Sequence, residues 1–368
     1  MGPLTSVDRP VRWGLWGCGR VAGQFVADLR RTPGVEVAAV ASRTHATAQA
    51  FAARHRIPTV HGDLAALSRD PAVDVVYIST PHHCHAADSL RCLDAGKPVV
   101  CEKPFALSGA QAHSVFEMAG RRGVFCMEAL WTRFVPVVAE AAALVRSGEL
   151  GAVVGLSGDF AYPTAFEPAD RLYAAEQGGG ALLDRGVYLV SLAQMLLGEP
   201  SSVHCHVRRA ATGVDEHASF QLDYPSGVSA QFMASLAVRG SNEFTLRLEH
   251  GSIVLHEPFF AAHRGSVRRS SRPAPKTTAP AVQGGLKGGV RLALEQHGLH
   301  RRFDLLRLLS AFRRSWSRPF EGHGFQFEIE EVNRCLRQGQ TQSPVMPWAD
   351  SLTVARTMDR LAAAATGT

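Results

Sequence analysis

The run Gly17-Cys18-Gly19-Arg20-Val21-Ala22 follows directly on Val11–Trp16, a short apolar stretch that reads as a strand. Behind it, Val21, Phe25, Val26 and Leu29 recur at helical spacing. The pattern is G-x-G-x-x-A at a strand end, and each small residue answers a geometric need. The first glycine makes the tight turn, the second lets backbone approach a pyrophosphate, and the small third position lets the helix pack on the strand. The anion then rests on free N–H groups at the helix N-terminus. So placed, the motif predicts a dinucleotide-binding βαβ unit with Gly17, Gly19, Arg20 and Val21 against the cofactor.

A second apolar run, Val35–Ala41, ends in Ser42-Arg43-Thr44. A fold specific for NAD usually carries an acid here to bind the adenine ribose hydroxyls. A small hydroxyl and an arginine suit a 2′-phosphate instead. Ser42 and Arg43 therefore favour NADP, with NAD left open.

Asp74–Ser79, Pro98–Cys101 and Val124–Met127 read as further strands, with helices over His85–Ala95 and Ser108–Arg121. That alternation predicts an α/β fold with a doubly wound parallel sheet, whose ligands bind beyond the C-terminal strand ends. Thr80, Pro81, His85, Glu102 and Lys103 fall at such ends and join the candidate cofactor-binding residues. His82, His83, Cys84 and His85 invite a zinc reading. Adjacent residues cannot all face one metal, however, and no second ligand pair at zinc spacing follows, so no metal is expected.

At 368 residues the chain suits two domains. Residues 1–10 lack the apolar region of a signal peptide, and no uninterrupted apolar run is long enough to span a bilayer. The seven cysteines are odd in number and scattered, which fits reduced thiols. The expectation is a cytoplasmic protein with no integral membrane association. Of the net charge of +6, Ala261–Phe320 alone carries +11 and the remainder −5. The basic balance belongs to one segment, so nucleic acid is not expected as a partner.

With Glu102-Lys103-Pro104, then Met127–Phe134 (MEALWTRF), then Gly178–Asp184 (GGGALLD) and Gly186-Val187-Tyr188, the chain resembles the Gfo/Idh/MocA oxidoreductases. It looks like the branch of dimeric dihydrodiol dehydrogenases and NADP-dependent D-xylose dehydrogenases. The resemblance covers roughly residues 11–260 and 320–362 and implies a Rossmann domain over 1–128. It further implies a substrate-binding and dimerisation α/β domain over 129–346, built on a large, mostly antiparallel open sheet. A C-terminal helix over 347–368 completes the expected organisation. Strand patterns at 153–161, 202–210, 216–224, 228–235, 243–249 and 252–256 agree. A homodimer or higher homo-oligomer is expected.

Asp184 and Tyr188 stand four residues apart, which on a helix puts them on one face. Oxidation of a carbinol needs a base near the hydride acceptor. A phenol, with an ordinary pKa near about 10, becomes one when an ammonium stabilises its phenolate. The resemblance implies Tyr188 as general acid/base, Lys103 as the group that orients the substrate oxygen and tunes Tyr188, and Asp184 as a residue that positions the substrate or hydrogen-bonds Lys103. It also gives Trp131 and Phe160, with Arg133 beside them, as substrate-binding residues. Many members carry histidine in place of Tyr188. The expected function is NADP-dependent interconversion of a small-molecule secondary alcohol or sugar hemiacetal, a cyclic diol or an aldose, with its carbonyl product. An inositol- or amino-sugar-type dehydrogenase and a catalytically silent dinucleotide-binding regulator are the alternatives.

Two features depart from the family pattern. Arg185 replaces an apolar residue and is expected to face solvent, with contact to an anionic substrate group or competition for Asp184 as the alternatives. Ala261–Phe320 is a long basic insertion, with a linker over Arg272–Gly289 and a basic amphipathic helix over His300–Trp316.

Overall fold

The computed structural model describes residues 9–270 and 313–367. Strands β1 (Val11–Trp16), β2 (Val35–Ala41), β3 (Thr59–His61), β4 (Val75–Ile78), β5 (Val99–Glu102) and β6 (Cys126–Ala129) form a parallel sheet in the order β3-β2-β1-β4-β5-β6. Every residue of β4, β5 and β6 is buried. Their continuous apolar runs follow from being covered on both faces. Helix α1 (Arg20–Leu29) leaves β1 through the glycine turn. Helices α2 (His45–His55), α3 (Leu64–Arg69), α4 (His85–Asp94) and α5 (Gly109–Arg122) make the other crossovers. Strand order reverses between β1 and β4, which opens a ligand crevice at their C-terminal ends.

After α6 (Pro136–Arg146) the chain builds a second sheet from β7 (Val153–Ala161), β8 (Ser202–Arg209), β9 (Asp215–Asp223), β10 (Ser229–Ser235), β11 (Phe244–Leu248), β12 (Gly251–Leu255), β13 (Arg264–Arg269), β14 (Arg313–Ser317) and β15 (Ala365–Thr366). Its order is β14-β13-β12-β11-β7-β10-β9-β8-β15, antiparallel except at β7–β10 and β8–β15. Alternation sorts its faces. Ala218, Phe220, Leu222, Phe244, Leu246 and Leu248 point inward, whereas Ser157, Gln231 and Thr245 line the outer face. Helix α7 (Val187–Leu197) packs on the sheet, with Val187–Ala193 entirely buried. The segment Ala175–Leu197 contains an 18-residue stretch apolar enough to cross a membrane, at mean hydropathy 1.2, yet 72% of that stretch is buried inside the protein.

The C-terminal helices α8 (Gln326–Arg337) and α9 (Trp348–Ala363) return to the first sheet. Buried Asp28 on α1 accepts from the backbone N–H of His323 at 2.9 Å and of Phe325 at 3.0 Å. Asp359 on α9 accepts from Gly109 N at 2.8 Å. Helix α9 packs on both α5 and α7, so it ties the two sheets together.

The basic insertion is corrected in part. Residues 313–316, expected at the end of a helix, belong to β14, which pairs with β13 at the sheet edge. In β13, which lies between β12 and β14, the exposed Arg264 and Arg268 flank the buried Gly265, Ser266 and Val267. The linker 272–289 and the rest of the expected helix lie outside the described residues.

Candidate active site

The cofactor cradle forms where β1 meets α1. Gly17 has φ +111°, and a Cβ there would stand 2.8 Å from the Ser79 carbonyl oxygen. Only glycine fits that turn. Gly19 caps α1 in an extended conformation, with no side-chain cap, and a Cβ there would meet nothing within 4 Å. The first-turn N–H groups of Arg20 and Val21 have no acceptor among the described residues, and neither has buried Ser79 Oγ a partner among them. Open space over unspent donors fits a pyrophosphate. Ser42 and exposed Arg43 follow the end of β2. On the far side, Thr80 Oγ1 donates to Asp88 at 2.9 Å, and Pro81 begins the loop into α4.

The reactive cluster stands at the end of β5. Lys103 Nζ donates to Asp184 twice, to the carboxylate Oδ1 at 3.0 Å and to the backbone carbonyl at 2.8 Å. The same ammonium lies 5.0 Å from the centre of the Tyr188 ring. Tyr188 Oη accepts from Trp131 Nε1 at 3.2 Å. Burial alone would raise the Asp184 carboxyl, but Lys103 and Arg171 outweigh it and hold the group far below the usual carboxylate range.

Tyr188 shifts the other way. Burial first, then the Glu102 and Asp184 carboxylates, push it well above an ordinary phenol. This corrects the expectation that Lys103 holds Tyr188 near a phenolate. Lys103 directs its charge at Asp184, so Tyr188 is a neutral phenol. Glu102 is also raised by burial and accepts from Tyr77 Oη at 2.5 Å.

Aromatic rings wall the cluster. Phe160 lies 5.3 Å from Tyr188 and stacks on Phe260 at 4.4 Å between centroids. Trp131 meets the edge of Phe260 at 6.0 Å. Trp131 and Phe160 are thus brought to the cluster.

Three expected assignments change. Arg133 turns away from the cluster and is buried, donating to Ser191 Oγ at 2.8 Å, to the Ser191 carbonyl at 2.9 Å and to Asp350 at 2.5 Å. With those bonds made it fastens α7 to the start of α9 and is not available to a substrate. His85 is fully buried, its ring nitrogens facing the carbonyls of Pro104 at 2.8 Å and Thr80 at 2.7 Å. It braces the cradle from behind and has no ring nitrogen left for a cofactor. Arg185 is 7% exposed, not solvated. It donates to the carbonyls of Tyr162 (2.6 Å) and Ser235 and to Thr164 Oγ1 at 2.7 Å, pinning the ends of β7 and β10.

Sequence reasoning missed Arg171, Phe260 and the full part played by His82. Arg171 Nη1 lies 3.1 Å from both Asp184 Oδ1 and His82 Nε2. His82 Nδ1 donates to the Gly178 carbonyl at 2.9 Å, so Nε2 accepts from the arginine. Burial drives His82 down to about 3, which keeps it neutral and fit for that role. Their signal was faint, because an arginine and a phenylalanine in loops carry no period. Leu182–Gly186 is also a π-helix running into α7, not the regular α-helix the spacing suggests. Such inserted turns often occur at functional sites.

The family model for the oxidoreductase NAD-binding Rossmann fold matches residues 11–130, and that for the GFO/IDH/MocA C-terminal domain matches residues 138–254. Trans-1,2-dihydrobenzene-1,2-diol dehydrogenase of Bos taurus is 31% identical over 93% of this chain and 92% of its own. Among solved structures, a 3-ketoreductase from Actinomadura kijaniata in complex with NADP and TDP-benzene is 25% identical, with a TM-score of 0.78 over 98% of this chain and 99% of its own. Aldose-aldose oxidoreductase from Caulobacter crescentus shares the fold, at 21% identity and a TM-score of 0.78 over 97% of each chain. With both halves matched in order around this cradle and cluster, the chain belongs to the GFO/IDH/MocA family and is an NAD(P)-dependent oxidoreductase.

Proposed function

We propose that the enzyme interconverts a secondary alcohol or sugar hemiacetal with its carbonyl product, using NADP. The observation that carries the reading is the Lys103–Asp184 pair beside Tyr188 at the end of β5, next to the glycine cradle. The nicotinamide, when bound, supplies or accepts the hydride. Lys103 has three N–H donors and uses two on Asp184, which leaves the third for the substrate oxygen. Because Trp131 donates to the Tyr188 oxygen, the phenolic proton is left to point at that same substrate oxygen. In reduction the neutral Tyr188 gives this proton to the forming alkoxide, and oxidation is the same transfer run in reverse. Asp184 holds the ammonium in place.

The rings of Trp131, Phe160 and Phe260 suit the C–H face of a cyclic diol or an aldose. The trans-1,2-dihydrobenzene-1,2-diol dehydrogenase that is 31% identical to this chain is named for a cyclic diol, which supports that substrate class. NADP is preferred because Ser42 and Arg43 follow β2 where an NAD-specific fold carries an acid. The outer face of the second sheet, covered by none of the described helices, is the surface assigned to a homodimer, to be checked by light scattering. A cytoplasmic setting agrees with all seven cysteines being free.

Absorbance assays of cyclic diols and aldoses, with NADP and with NAD, test the reading. Turnover with NADP preferred is expected. Tight cofactor binding without turnover in either direction on any compound would overturn it in favour of a regulator.

A further inference from the structure

Arg171 is the one cation of the cluster for which the mechanism has no use. Its nitrogen Nη1 serves Asp184 and His82, both at 3.1 Å. Among the described residues, no acceptor faces its Nε or Nη2, and the side chain is 39% exposed. A guanidinium with one edge anchored and the other open offers a planar fork, the geometry that matches a carboxylate. Arg171 and Lys103 share one oxygen of Asp184, so guanidinium and ammonium stand side by side. Two cations on one carboxylate leave a positive charge over; of the other acids nearby, Asp170 accepts from Leu172 N at 2.8 Å and Glu102 is turned to Tyr77.

The arginine is also built into place. The Gly178-Gly179-Gly180 run has no chemistry of its own, but it lets the Arg171 loop lie flat against it. A Cβ at Gly179 would come within 2.7 Å of the Leu172 carbonyl and 2.9 Å of the Arg171 carbonyl. Gly180 N donates to the Leu172 carbonyl at 2.9 Å, which fixes the loop just before the π-helix that carries Asp184.

We propose that Arg171 is a substrate-specificity residue that receives a carboxylate carried close to the reacting CH–OH group. The preferred substrates are then hydroxy acids of the sugar type, ahead of the neutral polyols of the same skeleton. This rests on the reading of Lys103 and Tyr188 as the reacting end, since they fix where the oxidised carbon sits. With the acid on the arginine fork and the neighbouring hydroxyl on Lys103, one substrate spans both cations.

Calorimetry on the NADPH-loaded enzyme tests it, because an alcohol cannot react with the reduced cofactor. The probes are D-gluconate against D-glucitol and D-xylonate against xylitol. The aldonate of each pair is expected to bind at least about tenfold tighter, the lower end for a charge-assisted pair. Arg171→Gln should remove that preference, and Arg171→Lys should keep part of it, since charge remains but the fork is lost. Equal binding of acid and alditol by the wild type, or equal weakening of both by Arg171→Gln, would overturn the proposal. Turnover of the same compounds with NADP is measured separately. An Arg171-dependent aldonate preference without turnover of the aldonates would overturn the placing of the neighbouring hydroxyl on Lys103, whereas the proposed function itself stands or falls with the diol and aldose assays.

Discussion

Lys103 grips Asp184 by side chain and main chain at once, at 3.0 and 2.8 Å. One first-sheet residue is thereby locked to the π-turn that delivers Tyr188, and the two halves of the reacting end are fixed together. Lys103→Met should lower turnover by about 10²-fold or more, the scale of positioned proton transfer. It also leaves buried Asp184 with fewer partners, which costs on the order of 3 kcal/mol. Cofactor fluorescence with urea unfolding separates the effects, since the adenine half of the cofactor site is untouched.

Tyr188→Phe removes the proton and spares the ring packing. Turnover should fall at least about 10²-fold, with NADPH affinity retained in a fluorescence titration. In the wild type, burial and the carboxylates of Glu102 and Asp184 raise the phenol, so its proton persists to higher pH. Carbonyl reduction should therefore show no alkaline decline where an ordinary tyrosine titrates, near about 10. Near-normal turnover in the phenylalanine variant would remove Tyr188 from the mechanism.

Glycines 17 and 19 should respond differently to alanine. At Gly17 the positive φ and the close Ser79 carbonyl forbid a side chain, so Gly17→Ala lowers the melting temperature. At Gly19 the new methyl meets only open space, so Gly19→Ala should fold normally. It fills the volume a pyrophosphate needs, however, and should weaken cofactor binding by about tenfold or more, equivalent to about 1.4 kcal/mol. Unchanged affinity would place the pyrophosphate elsewhere.

Arg43→Ala should reduce the affinity for NADP by about tenfold, the scale of a lost charge-assisted contact, while that for NAD stays within about twofold. Titrations with the two cofactors side by side decide it. Parallel loss for both would mean that Arg43 serves the fold and not the phosphate.

Glu128 sets a pH dependence of stability. It is buried, accepts from Phe105 N at 3.1 Å, and is pushed by burial up to about 7. The folded protein holds this proton more tightly than the unfolded chain, so stability is fullest below the unfolded value near 4.5 and falls as pH rises to about 7. The loss is about 3 kcal/mol. His82, lowered to about 3, acts oppositely, costing stability as pH drops below its ordinary 6.5. Comparing wild type with Glu128→Gln by urea unfolding isolates the first slope. The variant should be the more stable of the two at pH near 8 and should lack the decline.

The first sheet was legible because its signals are local. A glycine turn after an apolar strand has one use, and buried parallel strands must be continuously apolar. The alternating strands of the second sheet were readable for the same reason. The basic insertion was not, because an arginine-rich stretch with apolar spacing fits an amphipathic helix or an edge strand equally well until its neighbour is known. Only pairing with β13 assigns Arg313–Ser317 to a strand.

The dinucleotide fold, the position of Glu102-Lys103-Pro104 at a strand end and the candidacy of Tyr188 could all be read from local patterns of residues. Tertiary structure alone decided what the arginines do. Arg133 and Arg185 are buried because Ser191, Asp350 and the carbonyls of Tyr162 and Ser235 come from distant segments to receive them. Arg171 joins the cluster because the glycine run folds its loop onto Asp184. A guanidinium has the same charge wherever it stands, and its role depends on which acceptors the fold brings to it. The protonation of Tyr188 was decided in the same way, since its environment, and not its spacing from Asp184, keeps the phenol neutral.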